Sequence, residues 1–365
     1  MPAFKQTTLQ VLDVDEPEGN LPLAIDDTSL SHHLGIRTQT LWWLVRSAGM
    51  QAGEAACCYR LGSIPKRGKA GLRGEKRKLH IPSDRLKAVQ RSLCAAFVQP
   101  LVAGKQVRAY EPGSSVVGTA AEVSGGGVLI SMDLKNFFGS IRMAWVRGFF
   151  MSKGYNRNVA SLLARLCCCR DEGVDFLPQG TPVSPALANR IAQDRVDGPV
   201  MALAREYVWE YVRYSDNVYF SHPEVVPVDK TNEFKELVSA AFKRGGWSVH
   251  KVLVSPRWRK QRVLGLTVNE KPNVDREAYA SLRALIHNCK VEGFASQVDR
   301  AKKYNPKIES PEDLIAHIRG KMSYFAQVLE DSRVEKLSSD LEEALENERV
   351  SLREKWAQQD KEDRE

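Results

Sequence analysis

The sequence lacks any long apolar run. No segment approaches the ~18–20 consecutive apolar residues that a helix needs to span a bilayer. The first ten residues, MPAFKQTTLQ, contain no apolar stretch of the kind that signal peptides carry. These absences predict a cytoplasmic protein rather than a membrane or secreted one. The content of 43% apolar and 27% charged residues is typical of a globular chain and argues against disorder.

Cysteine pairs at zinc-binding spacing are also missing. The seven cysteines include the adjacent groups 57–58 and 167–169, and none forms a CxxC pair. Adjacent cysteines cannot readily point at one metal, so we expect small, buried side chains in a reducing compartment. The glycine-rich stretch KRGKAGLRGEKR (66–77) lacks the order GxxxxGK[ST], which excludes a P-loop.

Positive charge is in excess and unevenly distributed. The chain has a net charge of +8, but residues 331–365 hold 12 acidic and 7 basic residues, a net charge of −5. The other 330 residues therefore carry 46 basic and 33 acidic residues, a net charge of +13. A basic body favours a polyanionic partner, because Lys and Arg that neutralise phosphates release counterions. A mildly basic cytosolic protein without such a partner would have the same composition.

The apolar periodicity predicts a mixture of helices and strands. Helices are expected over 31–49, 157–170, 186–207 and 231–244, and from about residue 275 to the end. In the first of them, Leu34, Leu41 and Leu44 should face inward. Strands are expected over 78–82, 128–134, 247–254 and 261–269, with a hairpin over 212–221. This order predicts an α+β core followed by a helical region.

Two aspartates stand at positions where strands end. Asp133 closes the strand VLISMDL, and Asp216 lies at the tip of the hairpin VRYSDNVYFS. Taken singly, each is more often a turn or capping residue than a metal ligand. Between them lies LPQGTPVSPALAN (177–189), whose glycine and prolines restrict the loop. The following helix should present Ser184 and Asn189 toward whatever that loop contacts.

These segments, in this order, resemble the palm of reverse transcriptases, particularly the bacterial retron-type enzymes and, more distantly, the group II intron enzymes. SMDLKNFFGSI (131–141) is similar to motif A, LPQGTPVSPALAN to motif B and RYSDNVYFS to motif C. GWSVHK with VLGLTVN resembles motifs D and E, SIPKRG and RKLHIPSDRLKAVQ the fingers, and SLRALIHNC with IRGKMSYFAQV the thumb. The resemblance extends from about Leu34 to about Leu337. A QG…SP loop between two carboxylate motifs is highly specific to this family.

The resemblance implies a right-hand polymerase fold with fingers, a palm and a helical thumb. The palm would be an antiparallel sheet of the RRM type with helices. The expected boundaries are 1–127 for an N-terminal extension and fingers, and 128–274 for the palm with part of the fingers. The thumb would follow over 275–340, and a charged C-terminal helix or tail over 341–365.

The resemblance also implies the chemistry of phosphoryl transfer. A primer 3′-hydroxyl attacks the α-phosphate of a dNTP, and two Mg²⁺ ions, or Mn²⁺ in their place, neutralise the charge. Mg²⁺ can be held by one or two carboxylates together with substrate phosphates. By the family's pattern Asp133 and Asp216 would bind both metals, and the backbone carbonyl of Leu134 would contribute.

Further residues match the family's nucleotide-binding positions. Lys66 and Arg77 match cations of the fingers that hold the triphosphate. Phe138 matches the bulky residue whose ring collides with a ribose 2′-hydroxyl, which favours deoxynucleotides; a core aromatic is the alternative, and Phe137 could be that one. Gln179 and Gly180 match the loop that lies against the templating base and the incoming nucleotide.

The sequence departs from the family at two places. Motif C usually carries two acids, and here the second is Asn217. An amide offers one neutral oxygen and adds no charge, so weaker metal binding is expected rather than loss of catalysis. The Asn–His signature that retron enzymes carry before motif A is replaced by GTAAEV (118–123), which separates this chain from retrons that make branched RNA-linked DNA.

The function that the resemblance implies is RNA-directed DNA polymerase, acting on a structured non-coding RNA in bacterial defence against phage. Its partners would be that RNA as template or primer, the DNA product and dNTPs. A second defence protein or another copy of the chain is a further candidate. The alternatives are a polymerase that needs no template or is primed by protein, and a catalytically silent scaffold that binds RNA or a partner. Asn217 is the residue that most favours the scaffold.

Overall fold

The computed structural model describes residues 20–66 and 73–362. Helices and strands are mixed within those ranges, which confirms the predicted α+β class. The helices are α1 (Asp27–His33), α2 (Thr38–Ala48), α3 (Asp84–Phe97), α4 (Val116–Glu122), α5 (Met143–Ser152), α6 (Arg157–Cys167), α7 (Ser184–Ala192), α8 (Gly198–Glu206), α9 (Val228–Gly245), α10 (Arg276–Glu292), α11 (Phe294–Lys302), α12 (Pro311–Ala326) and α13 (Asp331–Glu362). The strands are β1 (Tyr59–Pro65), β2 (Lys76–Pro82), β3 (Val128–Leu134), β4 (Cys169–Asp171), β5 (Val174–Phe176), β6 (Glu210–Tyr214), β7 (Asn217–His222), β8 (Val249–Pro256), β9 (Arg262–Val263) and β10 (Leu266–Thr267).

The chain divides into two compact units. The first contains the described residues up to Ser114, together with Ile130–Phe220 and Val226–Leu253. The second contains Ser115–Leu129, Ser221–Val225 and the described residues from Val254 onward. All of the described candidate site residues lie in the first unit.

A four-stranded sheet in the order β6-β7-β3-β8 carries the segments that the sequence singled out. In β3 every residue except Ser131 and Asp133 is buried, because apolar side chains occupy the remaining positions. Helix α9 packs against one end of the sheet through Phe234, which stacks on Trp209, the residue before β6, at 4.8 Å between ring centroids and meets Phe220 of β7 edge to face at 5.2 Å. This packing fixes the two strands that flank the hairpin tip.

Two segments predicted as continuous helices are interrupted. The predicted helix over 31–49 is broken at residues 34–37, because α1 ends at His33 and α2 begins at Thr38. Gly35 between them has a φ of +68°, a left-handed conformation that an α-helix cannot continue through. The leucines predicted to face inward are buried: Leu34, Leu41 and Leu44. The second interruption separates α7 from α8, where Gln193–Asp197 form a π-helical turn.

The predicted strand over 78–82 is the second half of a longer hairpin. Strands β1 and β2 pair antiparallel, with Ile64 opposite Arg77 and Leu61 opposite His80. The side chain of Ser83 then caps α3 by accepting a hydrogen bond from the Leu86 amide at 3.4 Å. The hairpin is thereby joined rigidly to the helix that follows it.

The cysteines are free thiols, and six of the seven are buried. Burial raises the pKa of the Cys58 thiol to about 11, with smaller and partly opposing effects from its neighbours, so it stays protonated at neutral pH. The expectation of small, buried side chains is confirmed for all but the partly exposed Cys57.

The second unit ends in a helical core. Apolar residues of α10, α12 and α13 pack together around Ile286, Ile318 and Leu337, none of which is exposed. Helix α13 continues to Glu362, and its described side chains from 349 onward are exposed. Among the described helices, none is both long enough and apolar enough to cross a membrane.

Candidate active site

Asp133 and Asp216 lie at the ends of neighbouring strands. Asp133 is the penultimate residue of β3, and Asp216 lies in the turn between β6 and β7. Because β3 and β7 are adjacent in the sheet, the Leu134 amide donates a hydrogen bond to the Asp216 carbonyl at 2.9 Å. The sheet therefore brings two carboxylates together that are far apart in sequence.

Burial raises the pKa of Asp216 above its ordinary value, and the nearby carboxylate of Asp133 raises it further. The guanidinium of Arg77 and the side-chain amide of Asn217 act in the opposite direction. Two carboxylates that repel each other in a partly buried place are unfavourable when both are ionised. A cation between them would remove that cost.

The turn that carries Asp216 is tight. Strand β6 ends at Tyr214 and β7 begins at Asn217, so Ser215 and Asp216 form a two-residue loop. Ser215 is buried and has a φ of +60°, a left-handed conformation that favours glycine. Such backbone strain costs on the order of 1–3 kcal/mol and is most often retained at functional sites.

Asn217 contacts Asp216 directly. Its Nδ2 donates a hydrogen bond to Asp216 Oδ1 at 2.9 Å. An ionised carboxylate in the same position could only accept hydrogen bonds and would add a third negative charge. The amide therefore stabilises the ionised form of Asp216, which a second aspartate would not do.

The two cations of the β1–β2 hairpin region, Lys66 and Arg77, have different surroundings. Arg77 on β2 is close enough to lower the pKa of Asp216, although burial and Asp133 outweigh it. Lys66 follows the last residue of β1, and its amine pairs with Glu75 at 2.9 Å. Both side chains of this pair are nearly half exposed, so the contact is weak and Lys66 can exchange partners. The hairpin brings Arg77, but not Lys66, into electrostatic contact with the carboxylates.

The two adjacent phenylalanines occupy different positions. Phe137 stacks on Trp247 with 5.7 Å between ring centroids, and Trp247 Nε1 donates a hydrogen bond to the Phe137 carbonyl at 3.0 Å. Phe137 is thus packed in the core with 2% of its surface exposed, and Phe138 is buried as well. Phe138 meets Phe137 edge to face at 5.4 Å and retains 8% of its surface exposed.

The loop with Gln179 and Gly180 is attached to β2. The His80 amide donates a hydrogen bond to the Gln179 carbonyl at 2.9 Å. Gly180 has a φ of +108°, and a Cβ there would lie 3.1 Å from the His80 carbonyl oxygen. Only glycine allows this close approach without strain. The loop and the strand that bears Arg77 are therefore held as one piece.

Ser184 and Asn189, which were predicted to be presented toward whatever this loop contacts, have their partners inside the fold instead. Both are buried, with at most 1% exposed. Ser184 Oγ lies 2.6 Å from Thr181 Oγ1 inside the loop itself. Asn189 Nδ2 donates a hydrogen bond to the Ala109 carbonyl at 2.6 Å. These side chains stabilise the fold because buried polar groups need partners.

The donor set fits Mg²⁺. In the described part of the chain, no three or more His, Cys, Asp or Glu side chains are grouped so that they could hold a metal ion by themselves. Two carboxylates near each other are nevertheless the kind of incomplete site that Mg²⁺ occupies together with substrate phosphates. The mutual repulsion of Asp133 and Asp216 points to the same conclusion.

Arg213 was not among the functional residues predicted from the sequence. This residue lies in β6, has no exposed surface and forms an ion pair with Asp197, which is equally buried. Tyr211, Val212 and Arg213 are buried at successive positions of the strand EYVRY, so neither face of this strand is exposed over these residues. Strand alternation therefore gave no signal that this arginine is buried.

The proteins that are similar to this chain in sequence include three reverse transcriptases from bacterial retrons. The chain is 36% identical to the retron Mx65 reverse transcriptase of Myxococcus xanthus over 245 residues, which are 63% of this chain and 55% of that enzyme. It is 28% identical to the retron Ec86 reverse transcriptase of Escherichia coli over 77% of this chain and 83% of that enzyme. The retron Mx162 reverse transcriptase of Myxococcus xanthus is 29% identical over 72% of this chain and 58% of that enzyme. The chain thus spans little more than half of the two Myxococcus enzymes. No protein-family model matches it.

Proposed function

The chain belongs to the retron-type reverse transcriptases, and we propose that it is an RNA-directed DNA polymerase that copies a structured non-coding RNA. The observation that carries the proposal is the meeting of Asp133 and Asp216 at neighbouring strand ends, within the electrostatic reach of Arg77. Paired carboxylates with a cation nearby suit phosphoryl transfer, in which charge must be neutralised on both sides of the reacting phosphate.

The proposed metal site consists of Asp133, Asp216 and the Leu134 carbonyl. When bound there, two Mg²⁺ ions would neutralise the phosphate charge and lower the pKa of the attacking hydroxyl. Asp216 is held for this task by its turn and by the hydrogen bond from Asn217. Asn217 would act on the metal indirectly, by keeping the Asp216 carboxylate ionised and oriented.

The proposed nucleotide site surrounds these carboxylates. Arg77 would offset the charge of the triphosphate, and the rigid loop with Gln179 and Gly180 would support the base pair that is forming. Lys66 would join them by exchanging Glu75 for a phosphate. Phe138 would exclude the 2′-hydroxyl. The support for this arrangement is the attachment of the loop to β2 and the separate position of Phe137 in the core.

The proposed right hand follows from the same assignments. The four-stranded sheet would be the palm, the β1–β2 hairpin with its neighbouring helices would belong to the fingers, and α10–α13 would form the thumb. RNA–DNA hybrid would be bound through backbone charge and A-form shape, because a polymerase must accept any sequence.

To test whether the protein copies a structured RNA, the protein is purified from its host and the RNA and DNA that accompany it are sequenced. We expect one structured RNA and a DNA complementary to part of it. Homopolymers or simple repeats would instead support a template-independent polymerase. Absence of both bound RNA and dNTP incorporation would leave the scaffold as the better explanation.

Substitution of Phe138 by alanine should reduce the preference for deoxynucleotides. Removing the ring opens space for a 2′-hydroxyl, so the ratio of kcat/KM for dNTP over rNTP should fall by roughly tenfold or more. Phe138→Tyr keeps the ring and should keep the preference. The measurement is single-nucleotide extension with each sugar. Equal use of both sugars by the wild type would show that Phe138 is not a gate.

Asn217→Asp should tighten metal binding. A third carboxylate adds charge to the site, and we expect the Mg²⁺ concentration at half-maximal activity to fall by roughly tenfold. Because the substitution also removes the hydrogen bond to Asp216 and adds repulsion, the metal-free variant should melt earlier and gain more from Mg²⁺ in thermal unfolding. The control is Asn217→Ala, which has neither the added carboxylate nor the amide that donates a hydrogen bond to Asp216. A folded Asn217→Asp protein without activity would mean that the amide itself is required.

We further propose a role in defence against phage, by analogy with short bacterial relatives. The check is phage plating on cells that express the wild type or Asp216→Ala from the native locus. Protection that the variant lacks would support the proposal, and equal plating on both strains would refute it.

A further inference from the structure

Arg213 is a fully enclosed charge in the first unit. Its Nε and Nη2 bind the two oxygens of Asp197 at 2.9 and 2.7 Å, and neither side chain has exposed surface. Tyr211 donates a further hydrogen bond to Asp197 Oδ1 at 2.8 Å. Burying such a pair removes two charges from water, and apolar residues of similar size are often as stable in its place. Stability alone therefore does not explain why charges stand here.

The guanidinium also contacts the other segments of the site. Arg213 Nη1 donates a hydrogen bond to Asn189 Oδ1 at 3.0 Å, and Nη2 donates one to the Asn189 carbonyl at 3.2 Å. Its Cζ lies 5.8 Å from the ring centroid of Phe137, four residues after Asp133. One side chain thus touches the segment after β3, the helix that follows the Gln179–Gly180 loop, and the π-helical turn.

The main chain of Arg213 is fixed as well. Its amide donates a hydrogen bond to the Gln106 carbonyl at 2.8 Å, and its carbonyl accepts one from the Arg108 amide at 2.9 Å. Ser215, two residues further, has the left-handed backbone of the turn, and Asp216 follows. A residue held at both its backbone and its side chain therefore lies three positions before the proposed metal ligand.

The π-helical turn contains Asp197, the ion-pair partner of Arg213. Gln193–Asp197 interrupt the helical segment between α7 and α8, and Asp197 is the last residue of the turn. Turns of this kind are rare in proteins, but those that do occur are frequently found at functional sites. A planar, bidentate ion pair has a fixed geometry, whereas packed apolar side chains can slide past each other.

We propose that Arg213, through Asp197 and Asn189, is a positioning residue that fixes the Asp216 turn relative to Asp133 and to the helix of the nucleotide loop. The proposal rests on the proposed polymerase function. Arg213 lies inside the fold and does not reach substrate, so it acts only through the segments that it joins. Its loss should reduce metal affinity and kcat more than the KM for dNTP.

The test compares an apolar replacement, Arg213→Met with Asp197→Leu, with the charge-preserving Arg213→Lys. Arg165→Lys is the matched control, because Arg165 binds Asp175 through both oxygens and has no contact with these segments among the described residues. Four quantities are measured: the unfolding midpoint, hydrogen exchange of the amides over 210–218, the Mn²⁺ dissociation constant by electron paramagnetic resonance, and steady-state kinetics.

We expect the double variant to melt below the wild type, because the buried Tyr211 and Asn189 lose hydrogen-bond partners, and to show faster exchange in the hairpin. Its Mn²⁺ affinity should fall by about tenfold and its kcat by roughly 100-fold, since small displacements of reacting groups have effects of that size. Arg213→Lys should change hairpin exchange, Mn²⁺ affinity and kcat in the same direction. If the double variant does not fold, Arg213→Lys is the variant that tests the proposal. A folded variant with wild-type exchange and Mn²⁺ affinity would overturn the proposal. If the wild type does not polymerise, the proposed function fails, while hydrogen exchange still decides the role of Arg213.

Discussion

Asp216→Asn is expected to reduce dNTP incorporation by about 10³-fold, because it removes a charge that would hold the metals, a contribution worth several kcal/mol of transition-state stabilisation. The substitution keeps the size of the side chain. Its Oδ1 can still accept the hydrogen bond that Asn217 donates. The loss should therefore come from charge and not from a changed shape.

The stability of this variant separates catalysis from folding. The pKa of Asp216 is raised in the fold by burial and then by Asp133, so the ionised carboxylate is less favourable in the folded than in the unfolded state. That penalty is full at a pH above the raised pKa, declines as the pH falls below it and is gone below the ordinary pKa of the carboxyl. Without metal, Asp216→Asn should consequently melt at the same temperature as the wild type or higher. A variant with weaker folding would contradict this reasoning.

The measurement is incorporation of labelled dNTP with Mg²⁺ or Mn²⁺, alongside thermal unfolding with and without metal. Asp299→Asn, on the exposed surface of α11, is the control for loss of one carboxylate and should keep full activity. Metal should raise the midpoint of the wild type and of the control but not of Asp216→Asn. If Asp216→Asn retains more than about a tenth of the activity, Asp216 does not hold the metals in the way proposed.

Gly127→Ala is expected to destabilise the second unit by about 3 kcal/mol or more, the upper range for overpacked positions. A methyl group at Gly127 would overlap the main-chain carbonyl of Glu224 and lie 2.5 Å from the Val225 nitrogen. The obstacle is backbone, which cannot rotate away as a side chain can.

Gly127 cannot easily move to relieve the overlap. Its amide donates a hydrogen bond to the His222 carbonyl at 2.8 Å, and its carbonyl accepts one from the Arg257 amide at 2.8 Å. Any shift would weaken one of these bonds while the group remains enclosed. The residue directly precedes β3, so the variant should also give less folded protein on expression.

Thermal unfolding followed by circular dichroism measures this effect, and the midpoint should fall by at least about 5 °C. Gly148→Ala is the matched control: Gly148 lies within α5, and a Cβ there would meet no atom within 4 Å. Alanine favours a helix over glycine, so this control should melt at the same temperature as the wild type or slightly above it. Equal midpoints for Gly127→Ala and the wild type would show that the backbone can relax.

Much of the fold could be read from local patterns. The strand over 128–134 was predicted with its observed bounds, because a short, mostly apolar segment of strand length that follows a glycine-rich loop favours a buried strand. The leucines of the first helical segment were placed inward correctly. The break at Gly35 was not predicted, because periodicity shows which side is buried but not where a backbone changes hand.

For the candidate site, the sequence singled out several residues but misjudged the surroundings of another. The sequence order located Asp133, Asp216 and the loop at 177–189, since these residues recur at fixed places in a known family. It misjudged Asn189, which binds Arg213 and the Ala109 carbonyl inside the fold. Whether a polar side chain on a helix faces a ligand or a buried partner depends on what packs beside it.

By itself the sequence determined which residue types stand at the strand ends, the excess of positive charge and the resemblance to retron-type reverse transcriptases. Only the tertiary structure decided that Asn217 donates to Asp216, that Ser215 takes a left-handed backbone and that Arg213 joins three segments around one carboxylate. The reason is physical: hydrogen bonds, backbone hand and buried charge pairs depend on distances between segments that lie far apart along the chain. Those distances exist only after the sheet and its helices have packed.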